Sequence, residues 1–248
     1  MLGTRLKYFR NRCGLSQLEA EVLTGLSAGV ISRIENNIIN PTKESVLKIA
    51  EVFKLNEEEI DYLIGKTQNP ASKEEINLAK NSIQDLLNSN NRLLYLLDDR
   101  KRLIAVSNGF KKLIPVDWDK YIDQSVINLI VDQASNPIFK IFRLQEIVAN
   151  QLKLFYAEMG YQEDDQIYQD SIIKIKSNSI TSKLWDKITT QKQSFNVYDQ
   201  NFRQVALNIY GYKIELKFSR EKLLNFRRFE IVEYNTDNKV LKKVLKLA

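Results

Sequence analysis

Residues 15–41 read LSQLEAEVLTGLSAGVISRIENNIINP, and this stretch decides how the first part of the chain folds. Two short segments with apolar residues at helical spacing flank Gly25. Glycine adopts a positive φ more readily than any other residue, so Gly25 suits a tight reversal of the chain. Ser16, followed three residues later by Glu19, matches the pattern of a capping box. The stretch therefore predicts two short helices joined by a tight turn.

The helical spacing separates an inward face from an outward face. Ser27 precedes the second helix and is expected to cap it. Two helices crossed through a glycine turn form a helix-turn-helix, whose second helix enters the major groove of DNA. On that helix Arg33 can bind O6 and N7 of guanine, and a phosphate contact is the alternative. The residues expected to face inward are Ala20, Leu23, Leu26, Val30, Ile31 and Ile34, and those left outward are Ala28, Gly29, Ser32 and Arg33.

Residues 2–65 resemble the Xre family of Cro/cI-type DNA-binding domains. The resemblance rests on LKYFRNRCGLSQ, LTGLS, ISRIENN, NPT and VLKIAEVFKLNEEEIDYLIG, and it implies an all-α domain of about five helices. It also implies that Gln17 contacts DNA and that Arg10 pairs with Glu35 as a structural support. The family usually has glycine where this chain has Asn37, and asparagine also tolerates a left-handed conformation. The DNA-facing set is Gln17, Ser27, Ala28, Gly29, Ser32, Arg33, Asn36, Asn37 and Lys43.

Composition limits the classes of function. The 248 residues suggest about two domains, and the net charge of +6 suits a polyanionic partner. There is no histidine and only one cysteine, which excludes Ser-His-Asp triads, intrachain disulfides and zinc ribbons. No phosphate-binding glycine loop is present, so the chain is not expected to be an enzyme or to hold a cofactor or metal. Without a signal peptide or a long apolar run, a cytoplasmic location is expected.

The remainder of the chain predicts a second, α+β domain. Residues 1–69 are assigned to the helix-turn-helix domain, 70–75 to a linker and 76–248 to the second domain. Leu93–Leu97 and Leu103–Val106 are expected to be strands joined by an acidic turn, followed by a short helix from Ser107. Residues 120–160 and 181–192 are expected to be helical. The further β-rich runs are SIIKIKSNS, QSFNVYDQNF, VALNIYGYKIELKFS and RRFEIVEYN, between residues 171 and 235.

This order resembles the MmyB-type ligand-binding domain, a PAS-like fold with an antiparallel sheet. The resemblance rests on residues 93–110, 126–142, 148–175 and 177–188. The chain departs from the family by lacking a His-Pro pair after Trp185 and by having Ser107 in place of a tryptophan. The family resembles sensors of fatty acids, which implies a small apolar ligand. A homodimer is expected because one recognition helix reads too few base pairs for selectivity. The expected pocket lining is Phe110, Leu113, Trp118, Phe139, Phe142, Leu152, Phe155, Trp185 and Phe195.

Plain core packing uses the same residue types, so these nine residues can equally form a core. Three alternatives for the whole chain are compatible with the sequence. A peptide-pheromone-responsive Xre regulator would replace the sheet by helical repeats, although no 34-residue repeat is visible. A self-cleaving repressor would need an Ala-Gly cleavage site in the linker, whereas Ala28-Gly29 lies in the predicted reading helix. Finally, the second domain can be an interaction module without a ligand.

Overall fold

The computed structural model describes residues 2–65, 69–135, 140–141, 144–190, 204–209 and 212–237, and positions 239, 241 and 243. These residues form two compact units. The first unit contains Asn69 and the described residues before it, together with the short segments 156–161 and 189–190. The second unit contains the other described residues. No helix in the described ranges combines the length and the apolar composition needed to cross a bilayer.

The first unit has the five helices that the sequence predicts in residues 1–69. Its core is formed by apolar side chains from all five, among them Leu6, Phe9, Ile34, Ile49 and Leu63. Ala20 is fully buried, which allows close packing around α2. The helices are α1 (Leu2–Arg12), α2 (Gln17–Thr24), α3 (Val30–Glu35), α4 (Lys43–Val52) and α5 (Glu57–Leu63).

The prediction that Leu23 faces inward is wrong, because this side chain is 58% exposed. Thr24, one residue further, is buried in its place, and its hydroxyl donates to the carbonyl oxygen of Ala20 at 2.6 Å. Residues four apart lie on the same side of a helix, so Ala20 and Thr24 share the inward face.

The core of the first unit also contains Tyr161, a residue from far along the chain. Its ring centroid lies 4.9 Å from that of Tyr62 and 5.3 Å from that of Phe9. Aromatic rings at this separation contribute attraction beyond the area that they bury. Residues 1–69 alone therefore do not supply the whole core of this unit.

The second unit is built on an antiparallel six-stranded sheet with the strand order β2-β1-β6-β5-β4-β3. The two strands and the short helix that the sequence predicts in residues 93–113 are confirmed. Ser107 caps that helix by accepting from the amide of Phe110 at 3.3 Å. The strands are β1 (Leu93–Leu97), β2 (Leu103–Val106), β3 (Lys140–Ile141), β4 (Gln204–Ile209), β5 (Tyr212–Lys222) and β6 (Glu230–Asn235).

Seven α-helices and one 3₁₀ turn accompany the sheet in the described residues. They are α6 (Lys73–Ser82), α7 (Gln84–Asn88), α8 (Asn108–Leu113), the 3₁₀ turn Trp118–Lys120, α9 (Val126–Ser135), α10 (Leu144–Met159), α11 (Gln166–Lys176) and α12 (Ser179–Thr190). The sheet opposes the alternative of a purely helical second domain. Of the other β-rich runs, QSFNVYDQNF lies outside the described residues.

The prediction of a strand at residues 171–179 is wrong, because α11 occupies most of this run. Asp165 caps the helix by accepting from the amides of Ile167 and Tyr168. Ser171 and Ile175 are buried four residues apart, which is the spacing of one helix face. The alternation of isoleucine and lysine that suggested a strand leaves Ile173 67% exposed.

The sheet is covered to different extents along its width. On one face, Leu93, Leu97 and Ile214 pack with Phe110 and Trp118. On the other face, strands β1 and β2 are covered, since Leu94, Leu96 and Ile104 pack with Ala79 and Leu87 of α6 and α7. Towards β5 that second face is polar, with the exposed side chains of Lys213, Glu215 and Lys217.

Candidate nucleic-acid interface

Helix α3, the predicted recognition helix, begins later than the sequence predicts. It starts at Val30, so Ala28 and Gly29 lie in the preceding turn, and Gly29 has a φ of +77°. The predicted cap by the Ser27 side chain is wrong, because the N-cap position of α3 is Gly29, which has no side chain to accept a hydrogen bond. Instead, the buried carboxylate of Glu21 reaches over from α2 and accepts from the amide of Ile31 at 3.0 Å. This bond fixes the start of α3 against α2.

The two sides of α3 differ in exposure. Ile31 and Ile34 are fully buried, whereas Arg33 is exposed and Ser32 is half-buried. Arg33 uses its Nε to donate to the carbonyl oxygen of Gly29 at 3.3 Å, which steadies the side chain along the helix. The terminal amino groups of its guanidinium remain in solvent in the described structure. Asn36 donates through Nδ2 to the carbonyl oxygen of Ser32 at 2.9 Å.

A buried carboxylate supports α3 from behind. Arg10 donates to both oxygens of Glu35, at 2.6 Å from Nε and 3.0 Å from an amino group. Gln17, the first residue of α2, donates to the same carboxylate at 2.7 Å. Bidentate arginine–carboxylate pairs are strong and geometrically specific. The predicted pair of Arg10 and Glu35 is therefore in contact, and it also holds the predicted DNA-contacting residue Gln17.

The C-terminal end of α3 packs against the first turn of α1. Asn37 has a φ of +57°, the left-handed conformation that its place after Glu-Asn predicts. Its Oδ1 accepts from the amide of Gly3 at 3.0 Å. A Cβ atom on Gly3 would lie 2.2 Å from the carbonyl oxygen of Glu35, so only glycine allows this approach. The acceptor of Asn37 is thus engaged within the protein, and its amide nitrogen is the atom left for a ligand.

The structure brings most of the predicted DNA-facing residues to α3 and its flanks. Ser27, Ala28, Asn36 and Asn37 are exposed, and Gln17 and Gly29 are half-buried. Lys43 is exposed at the first position of α4, beside the N-cap Thr42. These residues form a polar surface on and beside a short, firmly positioned helix. The major groove of DNA is wide enough to admit an α-helix.

The residues predicted to line an apolar pocket occupy two places in the second unit. Phe110, Leu113 and Trp118 belong to the core cluster on the sheet, where the ring centroids of Phe110 and Trp118 are 5.7 Å apart. Leu152, Phe155 and Trp185 are buried on α10 and α12, with 6.2 Å between the rings of Phe155 and Trp185. Phe139, Phe142 and Phe195 lie outside the described residues.

Three residues of the first unit have roles that sequence reasoning missed. Glu21 caps α3, Gly3 permits the approach of α1, and Tyr161 completes the core. An acidic residue set among the apolar residues Ala20, Val22 and Leu23 was the visible signal for Glu21. For Gly3 and Tyr161 no local pattern existed, because their partners are distant in sequence.

Comparison with known proteins agrees with this geometry. Residues 6–60 match the family model described as Helix-turn-helix. The HTH-type transcriptional regulator ImmR of Bacillus subtilis (strain 168) is 28% identical over 109 residues, which is 44% of this chain and 76% of that protein. The chain therefore carries a helix-turn-helix domain over residues 6–60.

Proposed function

We propose that the first unit recognises a specific operator by inserting α3 into the major groove, with Arg33 as its principal base contact. The observation that carries this proposal is the contrast across α3: Arg33 is exposed while Ile31 and Ile34 are fully buried. Because Glu21 fixes the start of the helix and Glu35 its end, the guanidinium is presented from a rigid base. Rigid positioning favours specific recognition, since fewer side-chain arrangements are lost on binding.

Gln17, Lys43 and the exposed amides next to α3 then contact the DNA backbone and set the register. Such contacts give affinity and salt dependence but little sequence information. One recognition helix contacts only a few base pairs, so we propose that the chain binds a near-palindromic operator as a homodimer.

The test begins with selection of a preferred site from random double-stranded DNA by the full chain. Binding of wild type, Arg33→Ala and Lys111→Ala is then compared at one fixed salt concentration. Lys111 is an exposed lysine of α8, so this variant removes the same charge elsewhere. We expect Arg33→Ala to weaken binding at least about tenfold and to relax the preference at one base pair. Equal losses for both variants with an unchanged base preference would contradict the role of Arg33.

We further propose that the second unit is a PAS-like regulatory domain that senses a small apolar, fatty-acid-like ligand. The supporting observation is its opening: two antiparallel strands, a tight acidic turn, and a short helix capped by Ser107 that packs on the sheet. Six of the nine expected lining residues are buried in the described structure. The second candidate for this unit is an interaction module that only dimerises.

Native mass spectrometry of the gently purified chain separates these two candidates. A dimer with an excess mass that disappears on denaturation supports the ligand sensor. A dimer of unmodified mass that shows no change in operator affinity with added fatty acid favours the interaction module. A monomer at concentrations that saturate the operator would contradict the homodimer.

A further inference from the structure

A polar cleft of about 410 Å³ lies in the second unit, and none of the described residues expected to line the apolar pocket borders it. It is bordered by the end of the 3₁₀ turn with Tyr121 after it, by α9, and by the end of α11 with the residues that follow it. Among the described residues, its charged side chains are Lys120, Asp132 and Lys174. Neither the proposed operator recognition nor the proposed sensing of an apolar ligand uses these charged groups.

Asp132 holds the two lysines at the edge of this cleft. Lys120 donates to Oδ2 at 2.9 Å, and Lys174 donates to Oδ1 at 2.7 Å. Tyr121 donates its hydroxyl proton to Oδ2 at 2.8 Å. Each ammonium group has three N–H donors, and one of them points to Asp132. Both lysines are therefore fixed close to one carboxylate and still have donors to offer.

The charges in the cleft do not cancel. Burial acts to raise the pKa of Asp132, but the hydrogen bonds from Lys120, Lys174 and Tyr121 outweigh it and hold the pKa at about 2. Asp132 is therefore ionised at neutral pH, and together with the two lysines it leaves one net positive charge. A carboxylate that already accepts from three donors also repels an incoming anion less than an unpaired one would.

We propose that this cleft binds a small anion through its phosphate or carboxylate group, which contacts the ammonium groups of Lys120 and Lys174 together. Ammonium groups act as point charges and suit either oxyanion, whereas arginine favours planar, bidentate recognition. The lysines are 61% and 32% exposed, so a ligand reaches them without any opening of the core. Through this site the second unit would respond to an anionic metabolite independently of an apolar ligand.

The test uses the isotopically labelled full chain in nuclear magnetic resonance titrations with inorganic phosphate and, separately, with acetate. Chloride at equal ionic strength serves as the reference. We expect saturable shifts of the amides of Lys174, Ser177 and Asn178, which border the cleft. Saturation by phosphate alone identifies a phosphate site, and saturation by acetate alone identifies a carboxylate site. Shifts that the chloride reference reproduces would overturn the proposal.

Three variants are expected to change the affinity for the anion in three different ways. A purely structural role of these residues would not produce this pattern. Lys174→Gln should weaken binding about tenfold, because it removes a hydrogen bond from a charged donor. Lys176→Gln, an exposed lysine of the same helix outside the cleft, should bind like wild type. Asp132→Asn should strengthen binding several-fold, because it raises the net charge of the cleft to two.

Weaker binding by Asp132→Asn in a protein with an unchanged melting temperature would overturn the proposal. So would equal binding by Lys174→Gln and Lys176→Gln. If Lys174→Gln fails to fold, Lys120→Gln replaces it, since that lysine is mostly exposed and its loss leaves the interior intact. The same tenfold weakening is expected there.

Discussion

The two units hold buried charge in different ways. In the first unit the carboxylate of Glu35 accepts from Arg10 and Gln17, and all three lie within the first 35 residues. In the second unit the buried carboxylate of Glu230 accepts from Lys101 at 2.7 Å and from Arg220, which come from a turn and from another strand. The first arrangement is part of a local motif, whereas the second exists only once distant strands have paired. Buried ion pairs are costly to break in either setting.

The largest expected change in stability follows from removing the carboxylate of Glu35, which supports α3. Glu35→Ala should destabilise the first unit by about 3–5 kcal/mol, because Arg10 is left buried without its partner charge. Hydrogen exchange followed by mass spectrometry should show faster exchange in α1, α2 and α3. The control is Glu44→Ala, which removes an exposed carboxylate paired with Lys48 and should leave the exchange unchanged. Unaltered protection in Glu35→Ala would show that the pair does not support this unit.

The corresponding carboxylate of the second unit should make stability depend on pH. Burial acts to raise the pKa of Glu230, but Lys101 and Arg220 lower it from 4.5 to about 2. A lowered folded-state pKa gives stability that is fully present above about pH 4.5 and is lost as the pH falls towards 2. The loss should be on the order of 3 kcal/mol.

Glu230→Gln should remove that part of the acid dependence, as measured by urea unfolding from pH 7 to pH 2. The matched control is Glu221→Gln, an exposed position on β5. If wild type and Glu230→Gln lose stability in parallel over this interval, the buried ion pairs of Glu230 are not the cause.

Replacing a glycine that the backbone of another segment approaches closely should lower the free energy of unfolding by about 2–3 kcal/mol in each unit. A Cβ atom on Gly3 would lie 2.2 Å from a carbonyl oxygen of α3, and one on Gly109 would lie 2.4 Å from the carbonyl oxygen of Arg92. Each alanine substitution should therefore raise amide exchange in its own unit. Thr4→Ala, at an exposed neighbouring position on α1, serves as the control. Wild-type exchange in Gly3→Ala would mean that α1 can shift without cost.

The smallest expected effect concerns the capping boxes that begin with a serine, at Ser16 in the first unit and Ser72 in the second. Each serine accepts from the amide of a glutamate three residues later, and that glutamate accepts from the serine amide. Ser16→Ala and Ser72→Ala should each cost about 1 kcal/mol of stability in chemical denaturation. Replacement by threonine should restore most of this loss. A similar loss for alanine and threonine would point to a cause other than the cap.

Much of the first unit was predictable because its determinants are local. The Ser16 capping box, the left-handed Gly25 and Asn37, and the spacing of Ile31 and Ile34 are all readable within a few residues. The start of α3 was not predictable, since it depends on Glu21 bonding across the turn. Leu23 was assigned to the wrong face because helical spacing allows either a three- or a four-residue step from Ala20.

In the second unit, strands β1 and β2 and the Ser107 cap followed from sequence, whereas the run at residues 171–179 did not. Alternating isoleucine and lysine satisfies a strand pattern, but the cap at Asp165 and burial of Tyr168, Ser171 and Ile175 select a helix. Tertiary packing overrides local β-propensity because that propensity mainly reflects how a side chain fits its neighbours.

The sequence by itself determined the helix-turn-helix, the absence of histidine chemistry and the division into a helical and an α+β part. Only the tertiary structure decided the strand order, the packing of Tyr161 into the helix-turn-helix core, and the cleft where Asp132 accepts hydrogen bonds from two lysines. The physical reason is the distance along the chain over which each interaction acts. Capping, turn conformation and helical periodicity act over about four residues, whereas burial and ion pairing join groups whose separation along the chain carries no pattern.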